Sequence, residues 1–141
     1  MAKHYMGFEG LIYFGSAGST ATTLLENCVD ITYEITTETG DTTVRGDGTS
    51  PPINTSSVTA RVASITFSMR NVAGDTSLEA LRTAAAAGTL VAIRTKDHSA
   101  GKGFDGDCHL TFTNGKPLRG EQTQEFTATP SRDLRVPQLY V

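Results

Sequence analysis

The stretch "CVDITYEITT", residues 28–37, alternates apolar and polar side chains: Val29, Ile31, Tyr33 and Ile35 share one face, and Asp30, Thr32, Glu34 and Thr36 share the other. Successive side chains of a strand point to opposite sides, so this spacing predicts a strand with one face against a core and the other in water. The segment "VTARVASITFSMRNV", residues 58–72, repeats the pattern with Ala63, Ile65, Phe67 and Met69 inward against Ser64, Thr66, Ser68 and Arg70. At about fifteen residues it exceeds the usual strand length, which predicts a bend or bulge.

Working outward, "GLIYFG" from Gly10, "TLVAIRTKD" from Thr89, "GDCHLTFTN" from Gly106 and "GEQTQEFTATP" from Gly120 read as further strands. Cys108, Leu110 and Phe112 share one side of the third, and Phe126 and Ala128 point inward from the last. One helix interrupts them. In "DTSLEALRTAAAAG" the Thr76-Ser77-Leu78-Glu79 pattern predicts a capping box, and Gly88 supplies a left-handed C-cap. Leu78, Leu81 and Ala85 form its apolar stripe, and the alanines at 84 to 87 let it lie close to a sheet. The expected fold is therefore mainly β: an antiparallel sandwich or partial barrel flanked by one helix at about 76–87, with a long loop at about 37–56. No repeat or shift in composition divides the chain, so residues 1–141 are expected to form one domain with an N-terminal arm (1–8) and a C-terminal tail (130–141). The apolar end of that tail, "VPQLYV", points to docking on this subunit or a neighbour.

The composition is ordinary for a soluble domain: 38% hydrophobic, 19% charged, Thr- and Gly-rich, with no Trp. Twelve basic and fifteen acidic residues leave a net charge of −3, and no basic run exists to neutralise a row of phosphates, which argues against tight nucleic-acid binding. No stretch approaches the roughly 18 apolar residues of a membrane-spanning helix, and "MAKHYMGFEGLIYFG" lacks an uninterrupted apolar segment of the secretory kind. Synthesis in a cytoplasm is the expectation. Cys28 and Cys108 each sit inside a strand pattern and read as buried free thiols.

Chemistry-bearing residues do not assemble into a site. Cys108 and His109 are adjacent on a strand and point to opposite faces, so they cannot share a metal without distortion. Asp97-His98-Ser99 has no nucleophile elbow to work with, and Asp107 with His109 reads as a solvated pair. "GSAGST", residues 15–20, lacks the lysine of a phosphate-binding loop and reads as a turn. No catalysis, metal or cofactor is expected. The tripeptide Arg45-Gly46-Asp47 would need a secreted or surface context to serve adhesion. The loop that carries it is longer than structureless loops usually are in compact domains, which marks it as functional or disordered. Its charges, Asp41, Arg45 and Asp47, suit docking onto another copy of the chain.

The polar strand faces form rows of small hydroxylated residues with interspersed acids: Thr32, Glu34 and Thr36; Ser64, Thr66 and Ser68; His109, Thr111 and Thr113; Thr123, Glu125 and Thr127. They read either as an ordinary solvent face or as part of a hydrophilic wall continued across subunits.

The order and texture of these segments resemble the bacteriophage tail tube (major tail protein) family over about residues 8 to 130. The resemblance rests on a short N-terminal arm, "LENCVDITYEITTETGDTTVRGDG" as strand then loop, the long strand "VASITFSMRNV", the helix "SLEALRTAAAAG" and the last strand "RGEQTQEFTATPSRD". It implies a structural, non-enzymatic subunit of the virion tail, made and assembled in a host bacterial cytoplasm. Hexameric rings would stack into a conduit for DNA, with partners limited to itself and other tail proteins and no membrane. Asp30, Thr32, Glu34, Thr36, Thr123, Glu125 and Thr127 would line the channel, and Asp41, Arg45 and Asp47 would contact a neighbouring subunit. An acidic, hydroxylated wall would let DNA pass without binding. The rival readings are a β-sandwich binding module using the 37–56 loop and an inner-tube subunit of a contractile injection or secretion apparatus.

Overall fold

A computed structural model describes residues 2–46 and 48–141. Its strands are β1 (Leu11–Ser16), β2 (Thr23–Leu24), β3 (Cys28–Asp41), β4 (Ser56–Arg70), β5 (Val91–Lys96), β6 (Asp105–Gly115) and β7 (Thr123–Ser131), with helix α1 (Thr76–Ala87) between β4 and β5. All pairings are antiparallel, and the seven strands make one sheet in the order β2-β1-β5-β6-β7-β4-β3 that curls into a half-barrel. Of the expected sandwich or partial barrel, the chain adopts the partial barrel.

Register explains the two-faced character. Ile31 pairs with Phe67, Phe67 with Phe126 and Phe126 with Phe112, so one apolar row crosses four strands on the core face. The Phe67 and Phe126 rings stack at 5.2 Å, and Phe112 tilts against Phe126 at 4.9 Å. Leu78 and Leu81 of α1, with Ile65, Met69, Cys108 and Ala128, complete this core.

The helix departs from expectation at both its start and its stripe. Asp75 is the N-cap, its carboxylate accepting from the Ser77 and Leu78 amides at 3.1 and 3.3 Å, so Thr76 is already helical and no Thr76–Glu79 box forms. An aspartate is the stronger cap because its charge also meets the positive end of the helix dipole. Ala84, rather than Ala85, joins Leu78 and Leu81 in the core, and Gly88 closes the helix at φ 70° as expected.

Val29, expected inward, is half exposed. Pairing passes from Cys28–Met69 directly to Ile31–Phe67, so Val29 and Asp30 form a bulge opposite Ser68, and the extra residue pushes Val29 off the core face. The bulge anticipated in the long strand is present at Thr59 of β4, where Glu38 pairs with Ala60 and Thr39 with Val58, in addition to the one in β3. Because β3 runs to Asp41 and β4 begins at Ser56, the connection is shorter than the expected 37–56. Threonines zip its stem: the Thr42 amide donates to the Thr55 carbonyl at 3.0 Å, and the Thr43 hydroxyl donates to Asn54 at 2.8 Å.

The C-terminal tail docks on its own subunit. After β7 the chain makes an excursion and rejoins the sheet where Gln138 pairs with Asp105 and Val141 with Gly103. The Tyr33 hydroxyl donates to the Leu139 carbonyl. At the excursion Arg135 reaches Asp107 through Nε and Asp105 through Nη1, both at 3.0 Å, while Arg94 approaches Asp105 from β5 at 3.3 Å. The Gly18 amide and the Thr20 hydroxyl complete the carboxylates' partners at 2.9 and 3.1 Å. Asp107 is therefore buried in an ionic clamp and does not form a solvated pair with the exposed His109. Burial alone would disfavour the Arg135 charge, but hydrogen bonds and attraction from Asp107 and Asp105 outweigh it and raise the guanidinium pKa.

Three outcomes follow from this packing. Phe67→Ala should cost about 3–5 kcal/mol in chemical denaturation, because it opens a hole in the ring row; near-wild-type stability would place Phe67 on the wrong face. Arg135→Ala should cost about 3–5 kcal/mol by leaving the buried Asp107 without a counter-charge and Asp105 with Arg94 alone, and adding Asp105→Asn and Asp107→Asn should recover part of the loss. Burial pushes the Cys108 thiol up to about 12 from 9.0. The folded state thus favours the protonated thiol, a contribution present below pH 9.0 and lost as pH rises toward about 12. A thiol reagent at neutral pH should leave Cys108 unmodified until denaturant is added, whereas rapid native labelling would show an open core.

Candidate functional site: a hydroxylated sheet face and a projecting arm

Opposite the aromatic row, the same register builds a second row. Thr32 pairs with Thr66, Thr66 with Thr127 and Thr127 with Thr111, so four threonines from β3, β4, β7 and β6 stand side by side on the other face. Below them Thr113 pairs with Glu125 and Glu125 with Ser68, and on the other flank Glu34 pairs with Ser64. The strand alternation of these four segments therefore converges on one continuous surface.

Of the residues expected there, Thr32, Glu34, Thr36, Thr123 and Glu125 are exposed and Thr127 is half-buried. Asp30 reaches this side through the bulge, where its amide donates to the Ser68 hydroxyl at 3.3 Å. Two neighbours break the hydroxylated texture. Thr36 pairs with the exposed Val62, and Thr123 pairs with Arg70, which forms an ion pair with Glu121.

The face is bounded by two strand edges. β3 ends the sheet and has β4 as its one strand partner. β5 pairs with β6 only over Asp105–Cys108, which leaves the half of β6 beyond Cys108 with β7 on one side alone. Unpaired edges are templates for further strands.

The loop residues lie apart from this face. Asp41 closes β3, and hydrogen bonds from Thr43 hold its carboxyl below its ordinary value. Arg45 is exposed at the turn beyond, beside Val44. Asp47 lies outside the described residues. The structure thus places Asp41 and Arg45 at the end of an arm, separated from the strand-face residues rather than gathered with them.

Among the described residues no group of three or more His, Cys, Asp or Glu side chains could hold a metal. His98 instead holds the N-terminal arm, stacking on Tyr5 at 4.1 Å with Asp97 Oδ1 2.9 Å from its Nδ1. Residues 17–18 form a turn whose Gly18 has φ 92°, in keeping with the reading of "GSAGST". A groove of about 600 Å³ runs along the mouth of the half-barrel, lined mainly by apolar groups such as Ile12, Leu25, Ile31 and Tyr33. Among the described residues no helix is long and apolar enough to cross a membrane.

Sequence reasoning missed Gln124, which is fully buried on the core face. Its Oε1 accepts from Arg82 Nη2 at 2.6 Å and from Asn114 at 3.0 Å, fastening α1 to β7. Its parity with Phe126 and Ala128 is the available signal, and its place among the polar residues Gln122, Thr123 and Glu125 masks it.

No protein-family model matches the sequence, and no curated protein matches it. Solved structures do match in fold. A chain of the tail of an empty gene transfer agent particle, computed with helical refinement in C6 symmetry, superposes with a TM-score of 0.76 at 18% identity over 98% of both chains. A chain of the virion of a native gene transfer agent particle gives 0.70 at 16% identity, again over 98% of both. The chain has the fold of subunits in phage-like tail particles.

Proposed function

We propose that this chain is a structural, non-enzymatic subunit of a phage-like tail tube, in which sixfold rings stack around a lumen that passes DNA. The observation that carries the reading is the hydroxylated face of β6-β7-β4-β3 bounded by two free edges. Three successive antiparallel pairings make β3 and β6 run in opposite directions. Around a rotation axis along the strands, β3 of one copy therefore meets β6 of the next as an antiparallel partner, and both edges disappear. Six copies of these four strands close a barrel of twenty-four, wide enough for an aqueous channel. The sixfold symmetry of the similar tail supports that number.

In this arrangement the threonine row becomes a ring, and Asp30, Thr32, Glu34, Thr36, Thr123, Glu125 and Thr127 face the lumen. Acids and hydroxyls hydrate the wall without gripping phosphate, and Arg70 is neutralised by Glu121. Asp41 and Arg45 on the arm contact a neighbouring subunit, and Asp47 of the same loop is assigned with them. Synthesis in a bacterial host and association with other tail proteins complete the reading.

Negative-stain microscopy of concentrated protein should show rings or tubes; a monomer at all concentrations would remove the proposal. Replacing Asp30, Glu34 and Glu125 together with Lys should leave the melting temperature nearly unchanged. The resulting tubes should retain DNA at low salt and release it as salt rises. Tubes binding no more DNA than wild type would put these residues on the exterior.

A further inference from the structure

Arg70 interrupts the hydroxylated face with a fixed positive charge. It closes β4 and pairs in register with Thr123, the first residue of β7, which in turn pairs with Gly115 at the end of β6. The guanidinium therefore stands at one rim of the face, and Gly115 places no side chain beside Thr123. Glu121 meets it with an ion pair from the segment that leads into β7. One residue further along, the Asn71 side-chain amide donates to the Gln122 side-chain carbonyl at 3.0 Å, a second rung that holds Glu121 in position. The Arg70 and Glu121 side chains are 59% and 75% exposed, so a ligand in the surrounding water reaches both. Arg70, Asn71, Val72, Glu121 and Gln122 line a depression of about 340 Å³, in which Glu121 is the one acid.

We infer that this depression is a latent site for the phosphates of the DNA backbone, held shut by the carboxylate of Glu121. A guanidinium fork fits two phosphate oxygens as well as it fits a carboxylate, and the side-chain amides of Asn71 and Gln122 supply further donors beside it. Glu121 occupies the fork first, so a passing phosphate meets a neutral pair. An ion pair this exposed adds little to folding stability, and its consequence is the charge it hides. In a ring the site recurs at one level of the wall, so unmasking it adds one positive charge per subunit at that level. The inference rests on the tube reading and names the residue that decides whether the wall slides past DNA or grips it. Glu121 acts through Arg70 and is a positioning residue.

The test is co-sedimentation of assembled tubes with a short DNA duplex across a salt series. Glu121→Gln should leave the melting temperature unchanged and raise DNA retention at low salt roughly tenfold, with a steeper fall in binding as salt rises than in wild type. Adding Arg70→Gln to it should return retention to the wild-type level. If Glu121→Gln does not form tubes alone, co-assembly with wild-type chains keeps the measurement open, and retention should rise with the variant's share. Glu121→Gln tubes, pure or mixed, that hold no more DNA than wild type would overturn the phosphate site, as would a double variant that holds as much as the single. Either result, beside Asp30, Glu34 and Glu125 lysine tubes that do retain DNA, leaves the tube reading standing. Wild-type chains that form neither rings nor tubes at any concentration would overturn both.

Discussion

The row Ile31–Phe67–Phe126–Phe112 is the constraint on which the rest of the structure depends. Three packed phenylalanine rings and an isoleucine must meet on the core side, and that fixes the relative register of four strands. Since side chains alternate with a period of two, the same register aligns the residues between them, and Thr32, Thr66, Thr127 and Thr111 come into line on the opposite face. A slip of one residue in any strand would put a phenylalanine or isoleucine in water and a threonine in the core. The hydrophobic effect acts on one side of the sheet and so orders a polar surface to which it contributes nothing directly.

Polar groups then lock what the apolar row leaves loose. Gln124 interrupts the core face with an acceptor for Arg82, so the helix is held by a directional bond in addition to Leu78 and Leu81. At the other end of the sheet, Asp105 and Asp107 would be untenable beneath a covering segment unless charge came with it. Arg135 brings that charge from the returning tail. The tail is both the cause of the burial and the source of the compensation, which explains why its docking is specific and not a general apolar collapse.

What remains unburied has a direction. The half-barrel leaves edges on β3 and β6, an apolar mouth between β1 and β3, and an arm projecting at one end. The arm's threonines satisfy each other's polar groups but supply little apolar area of their own, so its geometry is maintained locally while its outer surface stays available for another copy. A chain of similar fold belongs to a tail with C6 symmetry.

By itself the sequence determined the elements and their faces. Alternation in residues 28–37 and 63–70 placed Ile31, Tyr33, Ile65, Phe67 and Met69 inward, and Gly88 marked the end of the helix, because each of these signals is carried by neighbours within a few residues. It also indicated that a threonine-rich face exists, and a family resemblance pointed to the fold. Local pattern could not decide the bulge that turns Val29 outward, the choice of Asp75 over Thr76 as cap, or the burial of Asp107 and Gln124. Those outcomes depend on partners distant in the chain: Ser68 across the sheet, Asn27 beside Asp75, Arg135 in the tail and Arg82 on the helix. Only the tertiary structure sets which strands lie side by side, and hence which edges are left open, because strand order is settled by competition among long-range pairings that no local window contains.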